Sequence, residues 1–313
     1  MVAYGLLFPG QGAQYPGMGC DLFDVAPYVF DAASDISGFD VRAVLSHGSE
    51  QELKQTSVTQ AAVTAVNAAA YHAIADLLER EKYVCAGFSL GEFTAYHASG
   101  MLTLENLFKL VTIRARVMSE AADAVQKNLG SLGMAAVIGM NYDTAAALLE
   151  EHRAEHLYAS NDNSPMQVVL SGLESSIERF IPVLKEHGAR RVIPLKVSAP
   201  FHTPLLAEAQ KQFASEIEGI TFEEPRCRVY TTVTGDVIPN AAAARESCIQ
   251  QLTSPVRWTQ IMKRIADLSI RSSLELGPGK ALTGFWSRTI SDIRCLPAGT
   301  HEHLVKIRNG EYE

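Results

Sequence analysis

Tyr83-Val84-Cys85-Ala86-Gly87-Phe88-Ser89-Leu90-Gly91-Glu92-Phe93 carries a short apolar run into Gly-x-Ser-x-Gly and at once into a helical pattern. Strand, tight turn, helix is the order of a nucleophile elbow. The turn leaves no room for side chains at its flanks, so Gly87 and Gly91 bracket the serine, whose hydroxyl is held out at the top of a sheet. The backbone N–H of Leu90 then points at the oxyanion of a serine-bound intermediate, and the helix N-terminus adds a favourable field. Gly-x-Ser-x-Gly also occurs as a plain strand–helix turn, so the rest of the chain must decide the reading.

The flanking pattern is that of a globular α/β protein. The chain has 313 residues, 47% hydrophobic and 20% charged, which suits two domains or one with a large insertion. A net charge of -8 argues against a general nucleic-acid binder. The five cysteines (Cys20, Cys85, Cys227, Cys248, Cys295) are scattered, odd in number and never paired as Cys-x-x-Cys, so reduced thiols in a cytoplasmic protein are expected. No basic region precedes the first apolar run, so no signal peptide is expected, and no apolar stretch approaches membrane-spanning length.

Val2 to Phe8 reads as a first strand running into the glycine-rich loop Pro9-Gly10-Gln11-Gly12-Ala13-Gln14. Its glycines fit neither the dinucleotide nor the Walker spacing, which excludes a nucleotide site and leaves a surface turn or an active-site rim. A long alanine-rich helix is expected from Thr59 to Glu81, and a short elbow helix from Glu92 to Ser99, stopped by Gly100. Thr103 is a good N-cap for the next helix, with Glu105 in its first turn. Arg114 shares that helix's apolar face with Leu107, Leu110, Val111, Val117 and Met118. Such an arginine either snorkels to solvent or meets an anion.

Between Leu132 and Lys196 the pattern becomes β-α-β-β-α-β: strands Leu132–Gly139, Leu157–Ser160, Gln167–Ser171 and Arg191–Lys196, with helices at Asp143–His152 and Glu174–His187. That is a ferredoxin-like unit, here inserted so that it can close over a cleft. Asn161-Asp162-Asn163-Ser164-Pro165 reads by composition as a turn, whose side chains are also able to hold a polar ligand. His152-Arg153-Ala154-Glu155-His156 fits a zinc-peptidase pattern, but its charged flanks at a helix end favour a solvated segment over a metal site.

His202 follows on a loop bracketed by Pro200 and Pro204, at a strand end where catalytic groups gather in α/β folds. The other histidines considered fit a base worse. His47, His72, His187, His301 and His303 fall in polar or terminal settings, and His97 lies on the elbow helix. The last third alternates again: strand Arg228–Val233, turn Thr234-Gly235-Asp236, helices Ala241–Leu252 and Trp258–Asp267, strand Ser273–Leu276, and a helix after Gly277-Pro278-Gly279. The tail after Thr300 reads as polar and frayed. The expected architecture is a hydrolase-like large domain with a mostly parallel sheet (residues 1–128 and 198–313) plus the inserted ferredoxin-like small domain (residues 129–197).

Together these blocks resemble malonyl-CoA:acyl carrier protein transacylases and the acyltransferase domains of polyketide synthases. The marks are Phe8-Pro9-Gly10-Gln11-Gly12, Gly87-Phe88-Ser89-Leu90-Gly91-Glu92, Leu110-Val111-Thr112-Ile113-Arg114, Asn161-Asp162-Asn163-Ser164-Pro165, Phe201-His202, Gln251-Leu252-Thr253-Ser254-Pro255-Val256-Arg257-Trp258 and Glu275-Leu276-Gly277-Pro278-Gly279. They run in the family's order over nearly the whole chain. The resemblance implies Ser89 as nucleophile and His202 as its base, a dyad whose imidazole is oriented by a backbone carbonyl near Gln251 in place of an acid. It implies an oxyanion hole from the N–H groups of Gln11 and Leu90, Arg114 on the malonyl carboxylate, and Asn161 in the same cleft. It also implies a ping-pong transfer through a malonyl-serine to the phosphopantetheine thiol of an acyl carrier protein, in fatty-acid or polyketide biosynthesis, without cofactor or metal. Malonyl-CoA and an acidic acyl carrier protein are then the expected partners of a cytoplasmic monomer, with no nucleic acid and no membrane. Lys185, Arg190, Arg191 and Lys196 are candidates for the docking rim, or a merely solvated edge.

One position departs from the family, where most relatives carry histidine before the nucleophile and this chain has Phe88. That site lines the acyl pocket, so a different acyl group is an open alternative. Phe201 before His202 resembles malonyl-selective members, since its ring crowds an α-methyl branch, a discrimination of roughly 1–3 kcal/mol. An acyl-thioester hydrolase on the same scaffold and a catalytically idle carrier-binding module are the competing readings. Arg114 disfavours the first for neutral acyl groups, and the intact Ser89, His202 and Arg114 set disfavours the second.

Overall fold

The computed structural model describes residues 3–78, 82–195 and 199–311. In chain order it runs β1 (Tyr4–Phe8), α1 (Pro27–Ser37), α2 (Val41–His47), α3 (Thr56–His72), α4 (Ala75–Leu78), β2 (Tyr83–Gly87), α5 (Gly91–Ala98) and α6 (Leu104–Leu129). Then follow β3 (Leu132–Ile138), α7 (Tyr142–Glu151), β4 (Leu157–Ser164), β5 (Gln167–Leu173), α8 (Glu174–Glu186) and β6 (Arg191–Pro194). The chain closes with α9 (Ala207–Glu216), β7 (Arg228–Tyr230), α10 (Ala241–Gln250), α11 (Trp258–Ala266), β8 (Ser272–Glu275), α12 (Ala281–Thr289), β9 (Cys295–Pro297) and α13 (His301–Arg308).

The large sheet is parallel throughout, in the order β7-β2-β1-β8-β9. Its strands are short and buried on both faces, as parallel strands covered by helices must be. Register levels their ends: Phe8 pairs with Gly87, and Leu7 with Glu275. The loops after β1, β2 and β8 therefore open side by side, which joins the glycine-rich loop, the elbow and the Gly277-Pro278-Gly279 turn at one edge. Glu275 is buried there, and its carboxylate accepts from the N–H groups of Leu282 (3.0 Å) and Thr283 (2.7 Å) at the start of α12. α3 is buried around most of its circumference, and its alanines allow close packing on α6 and α5.

The small sheet is antiparallel, in the order β4-β5-β3-β6, with β3 and β5 central. The β-α-β-β-α-β order and this pairing make a ferredoxin-like unit. Alternation along β3 divides its two faces. Ala135 and Val137 pack with Leu148, Leu170, Phe180 and Leu184 under α7 and α8. Met134 and Ala136 face the main core and the cavity at the elbow. Among the described residues no helix is long and apolar enough to cross a membrane.

Several expectations are corrected. Asn161-Asp162-Asn163-Ser164 is not a turn but the end of β4, with register shifts between Ala159 and Asn161 and between Asp162 and Ser164. Asp162 is held there by tertiary partners: its N–H donates to Val256 O (2.8 Å), and Thr259 Oγ1 donates to its Oδ1 (2.6 Å). The alanine-rich helix starts at Thr56, ends at His72 and restarts as α4; the expected stretch at Glu79–Glu81 lies outside the described residues, as do Val2 and Lys196. Strand Arg228–Val233 shortens to Arg228–Tyr230. As far as it is described, to Glu311, the tail is not frayed: Thr300 Oγ1 accepts from His303 N–H, Leu304 and Ile307 are buried, and Arg308 pairs with Asp76. β9 beside β8 is unforeseen, because Cys295–Pro297 is too short to show a period.

Candidate active site

β2 delivers Ser89. The turn after it is tied down by Phe88 N–H donating to Phe8 O (2.9 Å), Gly91 N–H to Phe88 O (3.0 Å) and Glu92 N–H to Ser89 O (3.0 Å). A Cβ on Gly91 would stand 2.0 Å from Phe8 O, and one on Gly87 would stand 2.0 Å from the Gly91 carbonyl carbon. Both glycines are thus required by close backbone approach. Ser89 itself takes φ 50°, a left-handed conformation that costs a non-glycine residue about 1–3 kcal/mol and persists only where its surroundings impose it.

His202 also sits at positive φ, 61°, on the loop that Thr203 Oγ1 tightens by donating to Pro200 O (2.7 Å). Its Nε2 lies 2.7 Å from Ser89 Oγ. Its Nδ1 faces two carbonyls, Gln251 O at 2.8 Å and Ser254 O at 3.2 Å. Only a donor satisfies two carbonyls, so Nδ1 carries the proton and Nε2 is free to accept from the serine hydroxyl. Burial, and next the charge of Arg114, hold the His202 pKa down to about 4. The imidazole is therefore a neutral base at physiological pH.

Arg114 arrives from α6 and is 2% exposed, so it does not snorkel. Its Nη2 donates to Ser89 Oγ (3.2 Å) and to Gln251 Oε1 (3.1 Å), and its guanidinium lies over the Phe93 ring at 5.3 Å. Burial lowers its pKa to about 10, which leaves it charged at neutral pH. Its Nε is buried without a hydrogen-bond partner. A desolvated cation with a spare donor, beside a serine paired to a base, is built to receive an anionic group.

These groups share a cavity of about 440 Å³, whose walls include Gln11, Phe88, Asn161, Phe201 and Phe285. Among the described residues no acceptor takes the backbone N–H of Gln11 or of Leu90. A larger recess, about 1000 Å³, opens at the opposite end of β2 around His72, His97 and Arg226, away from Ser89. In chemical terms the elbow cavity combines a serine hydroxyl, its acceptor, two free N–H groups and a fixed cation, which is the equipment for acyl transfer.

A model of the family described as "Acyl transferase domain" matches residues 6–302. The chain belongs to that family. The acyl transferase is 34% identical to the malonyl CoA-acyl carrier protein transacylase of Haemophilus influenzae, over 95% of each chain. Among solved structures, it superposes with a TM-score of 0.90 on the malonyl CoA-acyl carrier protein transacylase of Coxiella burnetii, at 32% identity, covering 98% of this chain and 96% of that one. It also matches a chain from the structure of a type II PKS acyl-carrier protein in complex with its malonyl-transacylase (TM-score 0.91, 31% identity, 98% and 99% covered).

The fold of this acyl transferase brings Ser89, His202, Arg114, Gln251, Phe88, Phe201, Asn161 and the N–H of Gln11 to one place. Phe88 packs edge-on to Trp258 (5.5 Å) and tilted on Phe285 (5.9 Å), so an aromatic cluster replaces a polar pocket wall. Asn161 Oδ1 is already taken by Ser160 Oγ (2.7 Å). Lys185, Arg190 and Arg191 are exposed, but Arg191 stands at the far end of β6 from Leu195, which lines the cavity; Lys196 lies outside the described residues. His152 of the zinc-peptidase pattern packs edge-on to Phe180, and among the described residues no cluster of three or more His, Cys, Asp and Glu could hold a metal ion. Sequence reasoning missed the Gln251 side chain, the second carbonyl at Ser254, and the buried acid Glu92. The one sequence signal for Glu92 is that it is the sole acid of the short helix Gly91–Ala98.

Proposed function

We propose that the protein moves a malonyl group from malonyl-CoA to the phosphopantetheine thiol of an acyl carrier protein. One observation carries the reading: the buried Arg114 guanidinium stands 3.2 Å from the serine oxygen, with its Nε unpartnered. An acyl group that ends in a carboxylate satisfies that cation, and a neutral acyl group leaves it buried and unpaired. The names of the relatives, which state malonyl transfer to a carrier protein, support the same substrate.

In the first half-reaction Ser89 Oγ attacks the thioester carbonyl carbon and its proton passes to His202 Nε2. The Gln11 and Leu90 N–H groups receive the oxyanion. The C–S bond breaks, and the imidazolium returns its proton to the departing CoA sulfur. In the second half, the carrier thiol gives its proton to His202 and attacks the malonyl-serine ester; Ser89 recovers the proton as the ester C–O bond breaks. The Gln251 and Ser254 carbonyls keep the Nδ1 proton in place through both halves. No step calls on a cofactor, and the scattered free thiols suit a reducing cytoplasm.

Arg114→Ala tests the reading. Loss of a charge-assisted pair worth about 3 kcal/mol should lower kcat/KM for malonyl-CoA by about a hundredfold, with far less effect on acetyl-CoA. Malonyl kinetics unchanged by the substitution would remove the carboxylate-binding role.

A further inference from the structure

Gln251 touches all three working groups at once. Its backbone carbonyl accepts from His202 Nδ1 (2.8 Å), its side-chain Oε1 accepts from Arg114 Nη2 (3.1 Å), and its Nε2 donates to Ser89 O (3.2 Å). An amide has two faces that differ only in the places of oxygen and nitrogen, so something must choose which one meets the guanidinium. Together with the Ser89 carbonyl, Glu92 makes that choice. It is completely buried on the first turn of α5, and its Oε2 accepts from Gln251 Nε2 (3.0 Å), Thr232 N–H (2.9 Å) and Thr232 Oγ1 (2.5 Å). Its Oε1 accepts from the Tyr96 hydroxyl and from Ser247 Oγ (3.5 Å). A carboxylate in that place admits only donors. It therefore holds the NH₂ of Gln251 toward itself and leaves Oε1 for Arg114.

We propose that Glu92 and Gln251 are positioning residues that lock the Arg114 guanidinium to the Ser89–His202 pair, and so set the preference for acyl groups bearing a carboxylate. The inference rests on the malonyl reading above, and neither side chain touches the reacting atoms. A network with this role moves the guanidinium without moving the imidazole, because the His202 contact is made by the backbone of residue 251.

The test is Gln251→Met, which keeps the backbone carbonyl and removes the amide, compared with Glu92→Gln. The latter retains an oxygen to accept from Gln251 and Thr232, while its own NH₂ faces the oxygens of Tyr96 and Ser247. The readouts are kcat/KM for serine acylation by malonyl-CoA and by acetyl-CoA, and a crystal structure of each variant. Gln251→Met is expected to lower the malonyl-to-acetyl ratio at least tenfold, chiefly through the malonyl-CoA KM, with Arg114 Nη2 displaced beyond hydrogen-bond reach of Ser89 Oγ. Glu92→Gln is expected to keep the ratio within threefold. Equal losses for both acyl groups in Gln251→Met would reduce the pair to structural support, and an undisplaced guanidinium with an unchanged ratio would overturn the proposal. A ratio lost in Glu92→Gln with Arg114 undisplaced would do so too, since the charge and not the hydrogen bond would then be responsible; a ratio lost with Arg114 displaced would support the proposal, because an amide at residue 92 no longer admits donors only. If the parent protein takes no malonyl group, the functional reading fails, and the position of Arg114 in the Gln251→Met crystal still decides the positioning role.

Discussion

Ser89 and His202 meet at 2.7 Å although each holds a backbone conformation that a non-glycine residue avoids. The Ser89 turn is held by backbone bonds on both sides and the His202 loop by the Thr203 hydroxyl, so the hydroxyl and the imidazole arrive already aligned. The depressed pKa of His202 has a consequence for pH. A base must be neutral to accept a proton, and the pKa here is held at about 4, below the ordinary 6.5. The acylation rate, measured with acetyl-CoA so that no acyl carboxylate titrates, should stay flat from pH 8 to about pH 5 and fall only toward pH 4. An inflection near pH 6.5 would contradict the burial of the imidazole beside Arg114. At this scale the sequence discloses groups whose neighbours in the chain betray them: Ser89 by its glycines, His202 by its prolines, and Arg114 by its apolar face. It conceals Glu92 and the Gln251 amide, because their partners, Thr232, Tyr96 and Arg114, come together only in the folded chain.

At the scale of elements, the site depends on β1, β2 and β8 ending level. The elbow presses so closely on the β1 terminus that Gly91 has no space for a methyl group. Gly91→Ala should cost at least about 1–3 kcal/mol and slow serine acylation more than tenfold, because Leu90 N–H moves with the displaced turn. A parent-like urea midpoint would show that the close approach is not required. Long periodic elements, such as α6 with its Thr103 cap, were legible from their pattern. β9 and the end of β4 were not. β9 has three residues, and the polar composition of Asn161–Ser164 speaks for a turn until Val256 and Thr259 supply partners to Asp162. The break of the alanine-rich helix at Ala73–Ile74 has no glycine or proline to announce it.

At the scale of the molecule, the elbow cavity lies where the ferredoxin-like unit, which has a core of its own on one face, lays its other face against the main core. Around the large parallel sheet, the turn after β2 contributes Ser89, α6 contributes Arg114 and the loop before α9 contributes His202, while the ferredoxin-like unit contributes Met134, Ala136, Asn161 and Val169 as the facing wall. Ser89, His202 and Arg114 thus bond to one another on one side of the cavity, and the ferredoxin-like unit forms the opposite wall. The most direct test is the intact mass of the protein after brief mixing with malonyl-CoA, with Ser89→Ala as control, followed by a phosphopantetheinylated carrier protein. The expected result is a malonyl adduct on the parent protein alone, discharged by the carrier and only slowly by water. An adduct lost to water as fast as to the carrier, or no adduct at all, would contradict the account.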